Sequence, residues 1–176
     1  MAGHEIDIVV ASELSQYRID IAKIKQITNK LADKMQLPTI EIVVSFVTDN
    51  EICKLNKRFR LIDRPTDVLS FPQLEFCNPV VLGEAPEVKG FALPGRLQLG
   101  DIVLAPDVAL GNAESIGQGI DREICFLIVH GLLHLCGHDH MQPAEEKLML
   151  DQQKKIFTEL DLESGSAIWA RCVEVV

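Results

Sequence analysis

The chain has 176 residues, 47% of them hydrophobic and 24% charged, which suits one globular domain with an ample core. A net charge of −9 excludes general attraction to nucleic acid, so any RNA partner needs a local basic patch. No apolar run approaches a membrane span and no basic-then-apolar leader opens the chain, so a cytoplasmic protein with no membrane partner is expected.

From the start, Glu5 to Ala11 alternates acidic and apolar residues, the pattern of a half-buried strand. Ile19 to Met35 repeats apolar residues at helical spacing, leaving a lysine-bearing polar face. Thr39 to Val47 is dense in β-branched residues and predicts a second strand. Thr48, Asp49 and Asn50 then offer N-caps for a helix through Cys53, Leu55 and Phe59.

That helix carries the basic patch. Lys54, Lys57, Arg58, Arg60 and Arg64 place five cations in eleven residues, opposed only by Asp63. Such a run is ordinarily a solvated helix face. The adjoining segment gives it more meaning, because Pro65 to Pro72 is a short strand with proline near both ends, and that suits a sheet edge or a cleft wall. An edge strand beside a cleft is a natural bed for an extended polymer.

Residues 73 to 96 carry Pro79, Pro86 and Pro94 without any period and predict a long surface loop with room for a small hairpin. Leu97 to Leu104 predicts a strand, and Gly100 in its middle predicts a bulge or a close backbone approach. Pro106 opens a helix that ends near Ile116, before Gly117 and Gly119. The next helix, capped by Asp121, is apolar nearly all round and therefore central. After His140, Pro143 opens an amphipathic helix with Glu145 and Glu146 early and Lys154 and Lys155 late, in keeping with the helix dipole. No repeat, linker or phosphate-binding glycine loop interrupts the chain. One domain over residues 1–176 is expected, with 162–176 as a C-terminal tail that holds Trp169. The cysteines, five in number and without a CxxC pair, fit reduced, mostly buried thiols.

Four of the five histidines fall within eleven residues, from His130 to His140. On a helix, His130 and His134 lie about 40° apart in projection and about 6 Å apart along the axis, close enough to share one cation. A straight helix would carry His138 about 12 Å and His140 about 15 Å from His130, too far for the same ion. Gly137 supplies a remedy, since glycine readily takes the left-handed conformation that reverses a chain at a helix end. A reversal there swings either His138 or His140 towards the first pair, and spacing alone does not choose between them. Zinc peptidases carry a glutamate directly after the first histidine as general base. Here that place is Gly131, which disfavours peptidase chemistry.

Three segments together resemble the YbeY family of metal-dependent endoribonucleases: Leu55 to Arg60, Pro65 to Pro72, and His130 to His140, with Leu99 to Val103 in support. The resemblance spans roughly residues 5 to 160. It implies an α+β fold, a small mixed β-sheet packed with helices around a central metal-bearing helix. It implies zinc, one ion per chain, held by His130, His134 and His140, and it matches Arg60 to the arginine that the family needs for activity. His138 stands where many relatives carry tyrosine, a departure that offers an extra ligand or a proton shuttle. The implied substrate is single-stranded RNA, in maturation of small-subunit ribosomal RNA and in ribosome quality control, with ribosome-associated proteins as further partners.

Neutral imidazoles in threes leave zinc an open fourth position, the pattern of a catalytic site. Arg60's planar fork suits two phosphate oxygens, Lys57, Arg58 and Arg64 would follow the RNA backbone, and Asp139 would orient a ligand imidazole from behind. Two rivals share the histidine helix: a zinc hydrolase of peptide or amide bonds, and a non-catalytic ribosome-assembly factor with a structural zinc.

Overall fold

The computed structural model describes residues 4–14, 19–89, 96–160 and 162. Four strands form one mixed sheet in the order β1-β2-β4-β3. They are β1 (Glu5–Val10), β2 (Thr39–Phe46), β3 (Val68–Pro72) and β4 (Arg96–Leu104). β1, β2 and β4 run parallel, and β3 pairs antiparallel to β4 at the edge. Five α-helices pack around this sheet: α1 (Ile21–Lys34), α2 (Asp49–Arg60), α3 (Pro106–Ser115), α4 (Ile120–Leu135) and α5 (Pro143–Glu159). The result is the α+β architecture that the family resemblance implies.

Local chemistry explains the boundaries. Asp20 caps α1, its carboxylate accepting the Lys23 N–H at 2.9 Å. Of the candidate caps for α2, Thr48 serves: its hydroxyl accepts from Glu51 N, and the Glu51 carboxylate accepts from Thr48 N, a reciprocal capping box. α4 departs from expectation. It begins at Ile120, with extended Gly119 in the cap position, and Asp121 lies in its first turn beside Glu123. Acids there still favour the helix through the positive end of its dipole.

The strand glycine behaves as the sequence predicts. Glu41 stands opposite Gln98 and Ile42 opposite Gly100, so Leu99 is the extra residue of a bulge. Gly100 sits at φ +129°, and a Cβ there would lie 2.1 Å from the Phe71 carbonyl oxygen. β3 can approach β4 this closely only because position 100 has no side chain.

α4 is the hub. It touches α1, α3, α5, β3 and β4, and it is buried from Glu123 to Leu133 and again at Leu135. Each fully buried Leu, Ile or Phe on it contributes about 1.5–3 kcal/mol. On the opposite face of the sheet a smaller cluster of Ile52, Leu69, Val103 and Ala105 seats α2 against β3 and β4. The long loop holds one antiparallel bridge, Phe76 to Val88, flanked by the hydrogen bonds Cys77 N to Glu87 O and Lys89 N to Glu75 O. Of the expected tail only Leu162 is described, packed against the main core; Trp169 and Cys172 lie outside the described residues. Among the described residues no helix is long and apolar enough to cross a membrane.

Candidate metal centre

The end of α4 is built by backbone hydrogen bonds. Gly137 takes φ +87°, its N–H donates to His134 O at 3.1 Å, and the His138 N–H reaches back to Leu133 O at 3.0 Å. This pair of bonds is the Schellman motif, and it turns the chain back over the last turn of the helix. The reversal brings the His140 ring beside the other two. Ring centroids lie 4.7 Å apart for His130 and His134, 5.1 Å for His134 and His140, and 5.7 Å for His130 and His140. One ligand atom from each lies within 4.8 Å of the others, so the three form a group able to hold a metal ion.

The protonation pattern fits such an ion. His134 Nδ1 is 2.9 Å from the His138 carbonyl, which can only accept, so Nδ1 carries the hydrogen. His130 Nδ1 faces the Gln153 side-chain oxygen at 3.4 Å in the same sense. Both Nε2 atoms are then bare lone pairs, and they face each other at 3.1 Å. Neither has a hydrogen to give the other. Tetrahedral ligands bonded at 2.0–2.1 Å stand about 3.3 Å apart, so this spacing suits two ligands of one cation. His140 adds a buried Nδ1 with no hydrogen-bond partner, an atom that a metal would satisfy.

Burial also keeps these rings neutral. Desolvation, reinforced by the neighbouring imidazoles, pushes His130 down to about 3 and His134 down to about 4. Unfolding returns both to the ordinary value of 6.5 and lets them take up protons. Their folded values are depressed, so stability is full above about 6.5 and is lost as pH falls towards about 4. We expect the metal-free protein to show this decline in thermal melts recorded with chelator, and a flat profile across that window would contradict it.

The other expected site residues fall in three places. Arg60, the last residue of α2, lines a cleft of about 390 Å³ together with Ser70, His130, His134, His138, Asp139, His140 and Met141. It has no ion-pair partner among the described residues. Lys57, Arg58 and Arg64 are outside that lining. Lys57 pairs with Asp63 at 2.5 Å, Arg58 lies over the Phe59 ring, and the Arg64 carbonyl accepts from Asn56. His138 is buried at 3% exposure and its Nε2 donates to the Val80 carbonyl at 2.7 Å, while Val80 N–H donates to Cys136 O. The ring therefore straps the long loop to the helix end. The Asp139 carboxylate accepts the His140 backbone N–H at 2.7 Å.

Gln153 is the partner that sequence reasoning missed. A signal existed: Gln152 and Gln153 share the buried face of α5 with Met149 and Ile156, where a polar side chain needs a partner. Gly131 also gains a reason. A Cβ there would sit 3.0 Å from Ile102 side-chain atoms and 3.1 Å from Ser70 Oγ, because α4 lies close on the sheet. Any side chain at this position would press on those two residues and make them shift.

Fold and site together define an α+β protein with a three-histidine pocket faced by an arginine. A family model described as Endoribonuclease YbeY matches residues 10–161. The chain is 38% identical over 143 residues to the Endoribonuclease YbeY of Lachnoclostridium phytofermentans, an alignment covering 79% of this chain and 87% of that one. It is 43% identical to the protein of that name from Halalkalibacterium halodurans, covering 72% and 76%, and 36% identical to the one from Sulfurihydrogenibium, covering 89% and 93%. A solution structure of a Thermotoga maritima protein superposes with a TM-score of 0.54 at 25% identity, over 92% of this chain and 97% of that one. The chain belongs to the YbeY endoribonuclease family.

Proposed function

We propose that the protein is a zinc-dependent endoribonuclease that cuts single-stranded RNA in the cytoplasm, in maturation of small-subunit ribosomal RNA and in ribosome quality control. The observation that carries this reading is one cleft in which three converging imidazoles share the lining with an arginine that has no ion-pair partner among the described residues. His130, His134 and His140 would hold one zinc ion per chain, with Gln153 and the His138 carbonyl fixing the first two rings. When bound, such an ion supplies Lewis acidity and lowers the pKa of water near neutral pH.

The chain's own residues do the rest. Arg60 places two N–H donors against the oxygens of a phosphate as negative charge builds in the transition state. The strand edge of β3 gives the RNA an extended bed, and the buried side of α4 keeps the imidazoles neutral and fixed. The relatives' designation as endoribonucleases supports RNA cleavage. The zinc-peptidase rival loses ground at Gly131, where its general-base glutamate would stand and the chain carries no carboxylate.

The test is metal content and RNA cleavage measured together on wild type and Arg60→Ala. We expect about one zinc per chain in both, as a single three-histidine site implies. Cleavage of unstructured RNA should fall about 10²–10³-fold in Arg60→Ala, the usual cost of removing a transition-state charge donor. Full RNA turnover in Arg60→Ala would overturn the role given to Arg60, and a zinc-loaded wild type that leaves RNA intact would return the advantage to the peptide or amide hydrolase.

A further inference from the structure

Six large hydrophobic side chains are exposed among the described residues, and three of them are chain neighbours of residues that line the histidine cleft: Phe59, Leu61 and Met141, at 56%, 89% and 66% exposure. Phe59 and Leu61 flank Arg60 in sequence, and Met141 follows His140 and lines the cleft itself. Single apolar residues scattered on a surface need no explanation. Two on either side of a cleft-lining arginine and one in the cleft itself are not scattered.

Two details give the group a shape. Leu61 closes α2 with a left-handed backbone at φ 60°, a conformation rarely adopted by a bulky residue and often kept at functional sites. Phe59 meets Phe71 edge-on, with centroids 5.0 Å apart and planes inclined at 66°. Phe71 is partly buried against the Ile52–Leu69–Val103 cluster, so it anchors the outer ring. It also lies between Ser70 and Pro72, both cleft residues, which sets the aromatic pair across the edge strand from the histidines. The Arg58 guanidinium stands 5.2 Å from the Phe59 ring centre and adds a planar cation to the same surface.

The geometry points to this rim as a nucleobase subsite: Phe59 stacks an unpaired base of the strand whose phosphate Arg60 holds, while Leu61 and Met141 border it with apolar surface. This rests on the nuclease reading above. Charge selects the occupant. Arg58 lies over the Phe59 ring and Arg60 follows it in sequence, two cations beside the ring on a chain of net charge −9, a local match to a polyanion with aromatic faces. Base stacking on an aromatic ring tolerates any sequence but requires that the base be unpaired. The rim thus gives the cleft a preference for single strands without reading sequence.

Steady-state cleavage of a short oligouridylate by the metal-loaded full chain tests it, with Phe59→Ala, Phe59→Leu and Phe59→Trp beside wild type. Loss of one stacked base should raise KM roughly 5- to 150-fold in Phe59→Ala. Zinc content and kcat should hold, because ground-state and transition-state binding fall together. Phe59→Leu keeps apolar bulk and should fail like alanine, whereas Phe59→Trp should restore KM. An oligomer with abasic riboses should abolish the difference between wild type and Phe59→Ala. Unchanged KM in Phe59→Ala and Phe59→Leu, with wild type cutting normally, overturns the rim alone. A wild type that neither binds nor cuts the oligomer overturns the rim together with the nuclease reading. A wild-type dimer that Phe59→Ala dissolves at unchanged KM assigns the rim to a second copy of the chain and also overturns the subsite.

Discussion

Replacing His134 by alanine is expected to strip the metal and reduce RNA cleavage to background while leaving the fold in place. The reason lies in how the helix end is made. Gly137 and His138 close α4 with backbone N–H groups donated to His134 O and Leu133 O, and neither bond uses the His134 ring. The side chain contributes one ring-to-carbonyl contact, with His138 O, and its Nε2 faces His130. Removing it leaves two imidazoles, too few to hold zinc in a three-histidine site. Metal analysis, circular dichroism and cleavage on the same preparation check this. Cleavage that persists in a variant confirmed free of zinc would place the activity elsewhere. His138→Gln makes the matching control. Its amide can donate to the Val80 carbonyl as the ring does, so it is expected to keep the metal; loss of metal there would mean that His138 is a ligand after all.

The largest expected effect on stability comes from Gly100→Ala. Its new methyl would stand 2.1 Å from the Phe71 carbonyl oxygen, and both the φ of +129° and the neighbouring backbone resist relief. Backbone strain and overpacking each cost about 1–3 kcal/mol, so the sum is roughly 2–6 kcal/mol. A domain stable by about 5–15 kcal/mol loses a large part of its margin. Denaturant melts measure it, and Gly111→Ala provides the contrast. Gly111 lies inside α3 with nothing within 4 Å of a Cβ, so the change there should stabilise by about 1 kcal/mol through helix propensity. Equal midpoints for the two variants would show that β3 can retreat from β4 without cost.

Periodicity and punctuation make most elements legible without coordinates. The prolines bracketing Val68–Pro72 announce an edge strand, Gly100 announces a bulge, and Gly137 announces the end of α4. Each of these is a local constraint on φ or on a backbone donor, written in one or two residues. The features that escape depend on partners distant in sequence. Gln153 reaches His130 across twenty-three positions, from a helix whose orientation no local pattern specifies. Lys57 looks available in the basic run, but the turn after α2 returns Asp63 to it. Asp139 has a carboxylate near the ligands by sequence, and its geometry sends that group to the adjacent backbone N–H. The lack of a glutamate at position 131 is visible, whereas the steric reason, Ile102 and Ser70 pressed against α4, belongs to the packed state.

The two halves of the cleft differ in when they can exist. His130, His134 and His140 come from one helix and the turn that ends it, so short-range structure sets their spacing, with Gln153 of α5 orienting the His130 ring. Arg60 joins them only after α2 has docked and β3 has paired with β4, contacts that span tens of residues and form late because closing long loops is slow. The cleft is thus joined from a local part, the imidazoles, and a distant part, the arginine, and only the complete sheet holds both.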